Sequence, residues 1–246
     1  MVFAGVMSQN FPAMTIIIDK ASSRGYTDHG ARKSHHTFSY ANYYNPNRVQ
    51  FGALRVLNDN AIGPNEGIET HPHRNMEIIS MPLRGELSHS DNMGNSRVIV
   101  PGEIHVMSAG TGMYHSEFNN SPKDTIKFLK LWIVPNVLNT QPKYNYYDVR
   151  PHLKHNEIST FIAPDGPVPI LQEAWISWVG MDSGTTLEYT LKGEDTGVYV
   201  FVVRGDVAVE GVKLSRRDGM RITDVSTFEI TSYKESYVLL AEVSMM

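Results

Sequence analysis

Short runs of β-branched and aromatic residues, punctuated by Gly, Asn, Asp and Pro, constrain the fold of this chain more than any other feature. They fall at residues 55–57, 76–81, 98–100, 126–134, 198–203 and 237–243, each of strand length and each near turn-forming residues. Few stretches sustain the 3.6-residue period of an amphipathic helix. The pattern predicts an all-β sandwich or barrel architecture.

The two halves echo one another. Leu83-Arg-Gly-Glu-Leu-Ser88 resembles Val203-Arg-Gly-Asp-Val-Ala208 at an offset of 120 positions, and Pro101-Gly-Glu-Ile104 has a weaker counterpart in Asp218-Gly-Met-Arg221. Spaced self-similarity of this kind suggests a duplicated β unit; the bland alternative is chance recurrence of strand, Gly turn and strand. Residues 135–169, rich in Pro, Asn, Asp and Tyr, suit a linker. The expected organisation is a tail over 1–13, a first barrel over 14–134, the linker over 135–169 and a second barrel over 170–246.

Composition removes several function classes. A formal charge of −4, with no basic cluster longer than Arg216-Arg217, leaves no footprint for direct nucleic-acid binding. Cysteine is absent, so any metal must be held by His and carboxylates. No segment approaches the about 18 uncharged apolar residues of a membrane helix. Residues 1–14 lack a basic, apolar leader, so the sequence is read as cytoplasmic, with Met14 a candidate natural start.

The chemistry concentrates in two segments, His71-Pro-His73-Arg-Asn-Met-Glu77 and Gly110-Thr-Gly-Met-Tyr-His115-Ser-Glu117. On a strand, residues i and i+2 share a face, so His71 projects with His73, and His115 with Glu117. Two such pairs facing one another supply three imidazoles and a carboxylate. That borderline donor set suits one divalent transition ion, Fe(II), Mn(II), Co(II), Ni(II), Cu(II) or Zn(II). A lone His-x-His is more often a solvated strand pair; the second pair shifts the balance. Pro72 cannot donate a ladder hydrogen bond, which marks its strand as irregular or at an edge.

Other candidates carry less. His35, His36 and His89 fit solvated or capping roles, and His152 and His155 fit the surface. His105 alternates with Met107 and either faces the cavity or packs in the core. Glu77 is a fifth ligand or, preferably, a structural partner of Arg74. Gly110-Thr-Gly112 is too short for a dinucleotide fingerprint and fits a hairpin turn. Tyr144-Asn-Tyr-Tyr147 could stack on a ring but better suits a buried or interface patch. After His155 the chain has no histidine, so if there are two barrels the metal belongs to the first, and the second is a structural or partner-binding copy.

At these residues the sequence resembles the pirin family of the cupin superfamily. The resemblance rests on Gly67-Ile-Glu-Thr-His-Pro-His73, Glu77, Arg84-Gly-Glu86, Asp91-Asn-Met-Gly-Asn95, and Met107-Ser-Ala-Gly-Thr-Gly112 leading into His115-Ser-Glu117. Asp19-Lys-Ala-Ser-Ser-Arg-Gly25 and His36-Thr-Phe-Ser-Tyr-Ala-Asn-Tyr-Tyr-Asn-Pro46 also look like the family's opening. It extends from Ile16 to the C-terminus, strongest up to Val134. It departs at Asn75, where many members carry Gly. The resemblance implies two jelly-roll-like cupin barrels packed face to face, a bicupin, with a metal, Fe(II) foremost, held by His71, His73, His115 and Glu117.

Family members are described as quercetin 2,3-dioxygenases or, in animals, as nuclear metal-dependent cofactors that bind transcription factors. The expected function is therefore an oxidoreductase cleaving a quercetin-like flavonol with O2, Glu117 taking the substrate hydroxyl proton. The competing expectation is a metal- or redox-dependent module that binds a protein partner without turnover.

Overall fold

The apolar runs form strands because their alternate side chains can be buried on opposite faces of a sheet. The computed structural model describes residues 14–245; the tail expected over 1–13 lies outside the described residues. In chain order the first half runs β1 (Thr15–Asp19), β2 (Gly25–His29), β3 (Arg32–His36), β4 (Leu54–Ile62), β5 (Gly67–His73), β6 (Glu77–Arg84), β7 (Leu87–Asp91), β8 (Ser96–Ile99), β9 (Glu103–Ser108), β10 (Met113–Phe118), β11 (Ile126–Ile133) and β12 (Lys143–Asp148). The second half runs β13 (Ile158–Ile162), β14 (Ala174–Met181), β15 (Thr186–Thr190), β16 (Thr196–Arg204), β17 (Asp206–Val209), β18 (Val212–Ser215), β19 (Gly219–Thr223), β20 (Thr227–Ser232) and β21 (Ser236–Ser244). Among the described residues, helix is limited to two single 3-10 turns, Ala21–Ser23 and Arg150–His152. No helix among the described residues is long and apolar enough to cross a membrane.

Each half pairs a large sheet with a four-stranded one. The first has the orders β12-β9-β6-β11-β4-β3-β2 and β5-β10-β7-β8; the second has β1-β19-β16-β21-β14-β13 and β15-β20-β17-β18. Every pairing between these strands is antiparallel. The stretch 135–169 gives one strand to each half, since β12 pairs with β9 and β13 with β14. β1 crosses to the second half and pairs with β19 from Thr15↔Thr223 to Asp19↔Gly219.

The largest apolar cluster draws on both halves. It joins Leu54, Leu57, Ile79, Leu129 and Leu131 of the first large sheet to Ile176, Tyr199, Phe201 and Leu239 of the second. Period-2 alternation explains how one strand serves two compartments. On β16, Tyr199 and Phe201 face the shared cluster, while Val198, Val200 and Val202 fill the second barrel. On β11, Leu129, Leu131 and Ile133 face the shared cluster, leaving Phe128, Lys130 and Trp132 to point into the first barrel. The second barrel's interior is an apolar cluster of Val, Ile, Leu, Met, Phe and Tyr. The first barrel's interior is where the polar residues gather.

Candidate metal centre

β5 is the edge strand of the first barrel's small sheet and pairs with β10, placing Met113 opposite His73 and His115 opposite His71. The register then shifts between His115 and Glu117, so that Glu117 faces Ile68. A bulge at this point re-aims the side chains of a site-bearing strand, and Pro72 is accommodated at the edge as its missing donor requires. The ring nitrogens of His71, His73 and His115 consequently lie within 4.8 Å of one another. His73 Nε2 and His115 Nε2 approach to 3.1 Å.

All three imidazoles are held neutral. Burial pushes the His115 pKa down to about 2 and that of His73 down to about 3, and it lowers that of His71 as well. Neutral rings keep a lone pair for a ligand. His71 Nδ1 lies 2.7 Å from the Glu69 carbonyl, which can only accept, so Nδ1 carries the proton and Nε2 is free. His115 Nδ1 lies 3.4 Å from His89 Nδ1, and His89 Nε2 lies 3.1 Å from Asp91 Oδ2. An ionised Asp91 accepts from His89 Nε2, leaving His89 Nδ1 to accept from His115 Nδ1; this directs the His115 Nε2 lone pair toward His73. Two facing nitrogen lone pairs at 3.1 Å repel unless a cation or proton lies between them. The donor set thus fits a divalent ion in both chemistry and protonation.

Glu117 is fully buried on the same strand as His115 but is engaged differently. Its Oε2 accepts from Lys130 Nζ, its Oε1 accepts from Ser80 Oγ at 2.9 Å, and His105 Nε2 stands 3.4 Å from Oε1. Burial pushes the carboxyl pKa upward, but Lys130, His105 and His115 outweigh it and hold the group well below the usual carboxylate range. Among the described residues, the cluster of mutually close ligand atoms comprises the three histidines.

Several remaining expectations are corrected by packing. His36 and His89, expected in exposed roles, are 1% and 2% exposed. His36 is saturated by Thr27 Oγ1 at 2.7 Å and Asn58 Oδ1 at 2.9 Å, whereas Tyr144 stacks on His89 at 4.3 Å with planes 12° apart. His105 is fully buried inside the first barrel, its ring 4.9 Å from that of His89, and neither ring nitrogen completes a hydrogen bond within the protein. Glu77 is structural, but its partners are Ser108 Oγ at 2.8 Å and the Leu171 amide at 3.3 Å, while Arg74 donates to Asn139. His35, His152 and His155 are exposed.

Lys130 is the residue that sequence reasoning missed. A lysine in the middle of the strand Ile126–Ile133, whose one other charge is Lys127 near its start, was the available signal. A cavity of about 280 Å³ reaches His71 and Lys130 past His36, Tyr40, Asn58 and Ile68. The indole Nε1 of Trp132, whose ring lies edge-on 4.9 Å from His73, and the hydroxyl of Tyr144 are buried without protein partners.

Residues 18–133 match the Pirin family model, and residues 160–243 match that of the quercetinase C-terminal cupin domain. The chain belongs to the pirin family. This pirin is 36% identical over 229 residues to a protein named quercetin 2,3-dioxygenase in Escherichia coli (strain K12), covering 93% of this chain and 98% of the relative. A pirin-like protein of Caulobacter vibrioides is also 36% identical, over 89% of this chain and 96% of its own. The crystal structure of YhhW from E. coli matches with a TM-score of 0.90 at 34% identity, covering 94% and 99% of the two chains. The structure of that bacterial pirin in complex with nickel(II) matches at 0.88, again 34% identical, covering 94% and 100%. The two barrels of this pirin are therefore cupin domains, and the protein is a bicupin. The family departure at Asn75 is conformationally conservative. Its φ of 49° lies in the left-handed region, which asparagine tolerates best after glycine, and its side chain accepts from the Asn139 amide at 2.7 Å.

Proposed function

We propose that this pirin is a metal-dependent dioxygenase of quercetin-like flavonols, with one divalent ion, Fe(II) foremost, held by His71, His73, His115 and Glu117. The observation that carries this reading is the convergence of three neutral imidazoles beside a cavity of about 280 Å³. The relatives named quercetin 2,3-dioxygenase support the substrate class. Nickel(II) in the related bacterial pirin supports a nitrogen-rich site open to several first-row ions. An ion at this site would supply Lewis-acid stabilisation of an enolate and a template for flavonol and O2.

The chain's own groups divide the remaining work. Glu117 accepts the proton of the flavonol hydroxyl. Lys130, bonded to the same carboxylate, sets how readily Glu117 takes it. Trp132, edge-on to His73 at 4.9 Å, and Tyr144, stacked on His89 at 4.3 Å, hold the imidazole rings in place. The apolar cluster of Ile78, Met107 and Met113, with Trp132 against it, excludes water from the rear of the site. In the overall reaction one O2 is consumed, the central flavonol ring opens and one carbon leaves as carbon monoxide.

The test is anaerobic purification and reconstitution with each candidate ion, followed by quercetin turnover under oxygen. Loss of the flavonol chromophore with equimolar carbon monoxide, absent from His73→Ala, is the expected result. Stoichiometric metal without turnover would replace the dioxygenase reading with that of a metal-dependent binding module.

A further inference from the structure

The two Arg-Gly turns that echo one another in the sequence, Arg84-Gly85 and Arg204-Gly205, both border one cleft of about 900 Å³. Its wall joins the end of β6 and Lys127 of β11 in the first barrel to the β16–β17, β18–β19 and β20–β21 turns of the second. The cleft contains none of the three clustered histidines and plays no part in the function proposed above.

Six cationic side chains line it: Arg84, Lys127, Arg204, Arg216, Arg217 and Lys234. Glu235 is the one lining carboxylate. Four of the six have counter-charges. Asp124 lies 3.6 Å from Arg84, Glu235 3.6 Å from Arg204 and Asp59 2.5 Å from Arg217, and Asp206 pairs with Lys234. The Arg84–Asp124 and Arg204–Glu235 pairs are well exposed and long, so a stronger anion can displace the carboxylate at small cost. Lys127 and Arg216 are exposed and enter no ion pair among the described residues.

This accumulation occurs in a chain whose formal charge is −4. Apart from the adjacent Arg216 and Arg217 it is invisible as a sequence cluster, because the cations come from five separate strand ends and turns. A concave wall with six cations against one carboxylate focuses a positive field and favours a multiply charged anion. Guanidinium forks match phosphate oxygens in planar, bidentate geometry. Trp178 and Tyr237, with ring centroids 6.1 Å apart, add half-buried aromatic faces to the same cleft.

We propose that this cleft binds a small phosphate-bearing polyanion, its oxygens held by Arg84, Arg204 and Arg216, with Lys127 as a further counter-charge. A nucleotide and an inorganic polyphosphate share this chemistry. They differ in whether a ring rests on Trp178 and Tyr237.

The experiment is calorimetric titration of the full, metal-loaded chain with ATP and, separately, with tripolyphosphate at an ionic strength of about 0.01 M. The Lys127→Glu/Arg216→Glu variant is run beside it. Both positions are exposed, so the variant is expected to fold, and its intact histidines control for chelation of the ion by the probe. The expected result is saturable binding that weakens with added salt and falls at least about tenfold in the variant. Tighter binding of ATP identifies a nucleotide site, and equal affinities identify an inorganic polyphosphate site. The milder Lys127→Ala/Arg216→Ala variant should lose less. No saturable binding of either probe up to about 1 mM, or equal binding by wild type and the charge-reversed variant, overturns the proposal.

Discussion

His115 binds nothing in isolation; its usefulness depends on which ring nitrogen carries the proton. The contacts from Asp91 through His89 to His115 specify that tautomer. His89→Phe should preserve the ring stack on Tyr144, remove the acceptor for His115, and weaken metal binding by about 10- to 100-fold, as measured by competition with a chelator. Lys130 and Glu117 form the other decisive pair. Lys130→Met leaves a buried carboxylate without its counter-ion and should cost about 3–5 kcal/mol, read from urea unfolding. Lys130→Met/Glu117→Gln should recover most of that loss. Because the folded-state pKa of Glu117 is depressed, its stabilisation is present above the unfolded carboxyl value and is lost as pH falls through the folded value. Glu117→Gln should therefore flatten the acid limb of the stability–pH curve; an unchanged limb would remove Glu117 from the account. The three histidines were legible in the sequence because strand alternation at i and i+2 is a local rule. The burial of His36, His89 and Lys130 was not, since it arises from residues 13 to 55 positions away, such as Asn58, Tyr144 and Glu117.

Among the elements, β1 shows most clearly what local pattern cannot reveal. Its sequence specifies a strand, but nothing in Thr15–Asp19 indicates that its partner is β19, about two hundred residues away. The partnership is secured by charge. Asp19, 2% exposed, lies 3.0 Å from Arg48 Nε and 2.9 Å from Arg221 Nε, and accepts from the Tyr199 hydroxyl at 3.1 Å. Arg48 comes from the first half and Arg221 and Tyr199 from the second, so this carboxylate joins β1 to both. Asp19→Ala should destabilise the chain by about 3–5 kcal/mol, because two part-buried guanidinium groups lose their counter-ion. Chemical denaturation measures it, and a loss below about 0.5 kcal/mol would mark the cluster as merely superficial. The Gly110-Thr-Gly112 segment, expected as a hairpin turn, is a turn but not a hairpin: it carries the chain from β9 of the large sheet to β10 of the small one, and these two strands do not pair. Gly110 has φ 47°, and a Cβ there would stand 2.1 Å from the Thr140 carbonyl oxygen. That contact follows from the fold and not from the motif.

At the scale of the whole molecule, the shared core between the two large sheets makes each barrel part of the other's stability. Phe201, 1% exposed within that core, should cost about 3–5 kcal/mol when replaced by alanine. Unfolding should remain a single transition, whereas two separate transitions would show that the barrels are energetically independent. The echo between Arg84-Gly85 and Arg204-Gly205 foreshadowed the doubled architecture, yet only the assembled fold brings both turns to one cleft. The polar interior of the first barrel and the apolar interior of the second likewise follow from which side chains alternate inward. The central claim is that His71, His73 and His115 together hold one divalent ion. It is tested most directly by metal analysis of the wild-type chain and of His73→Ala after identical reconstitution and removal of free ion. About one ion per wild-type chain, and at least tenfold weaker retention in the variant, is the predicted result; equal metal content in the two would contradict the account.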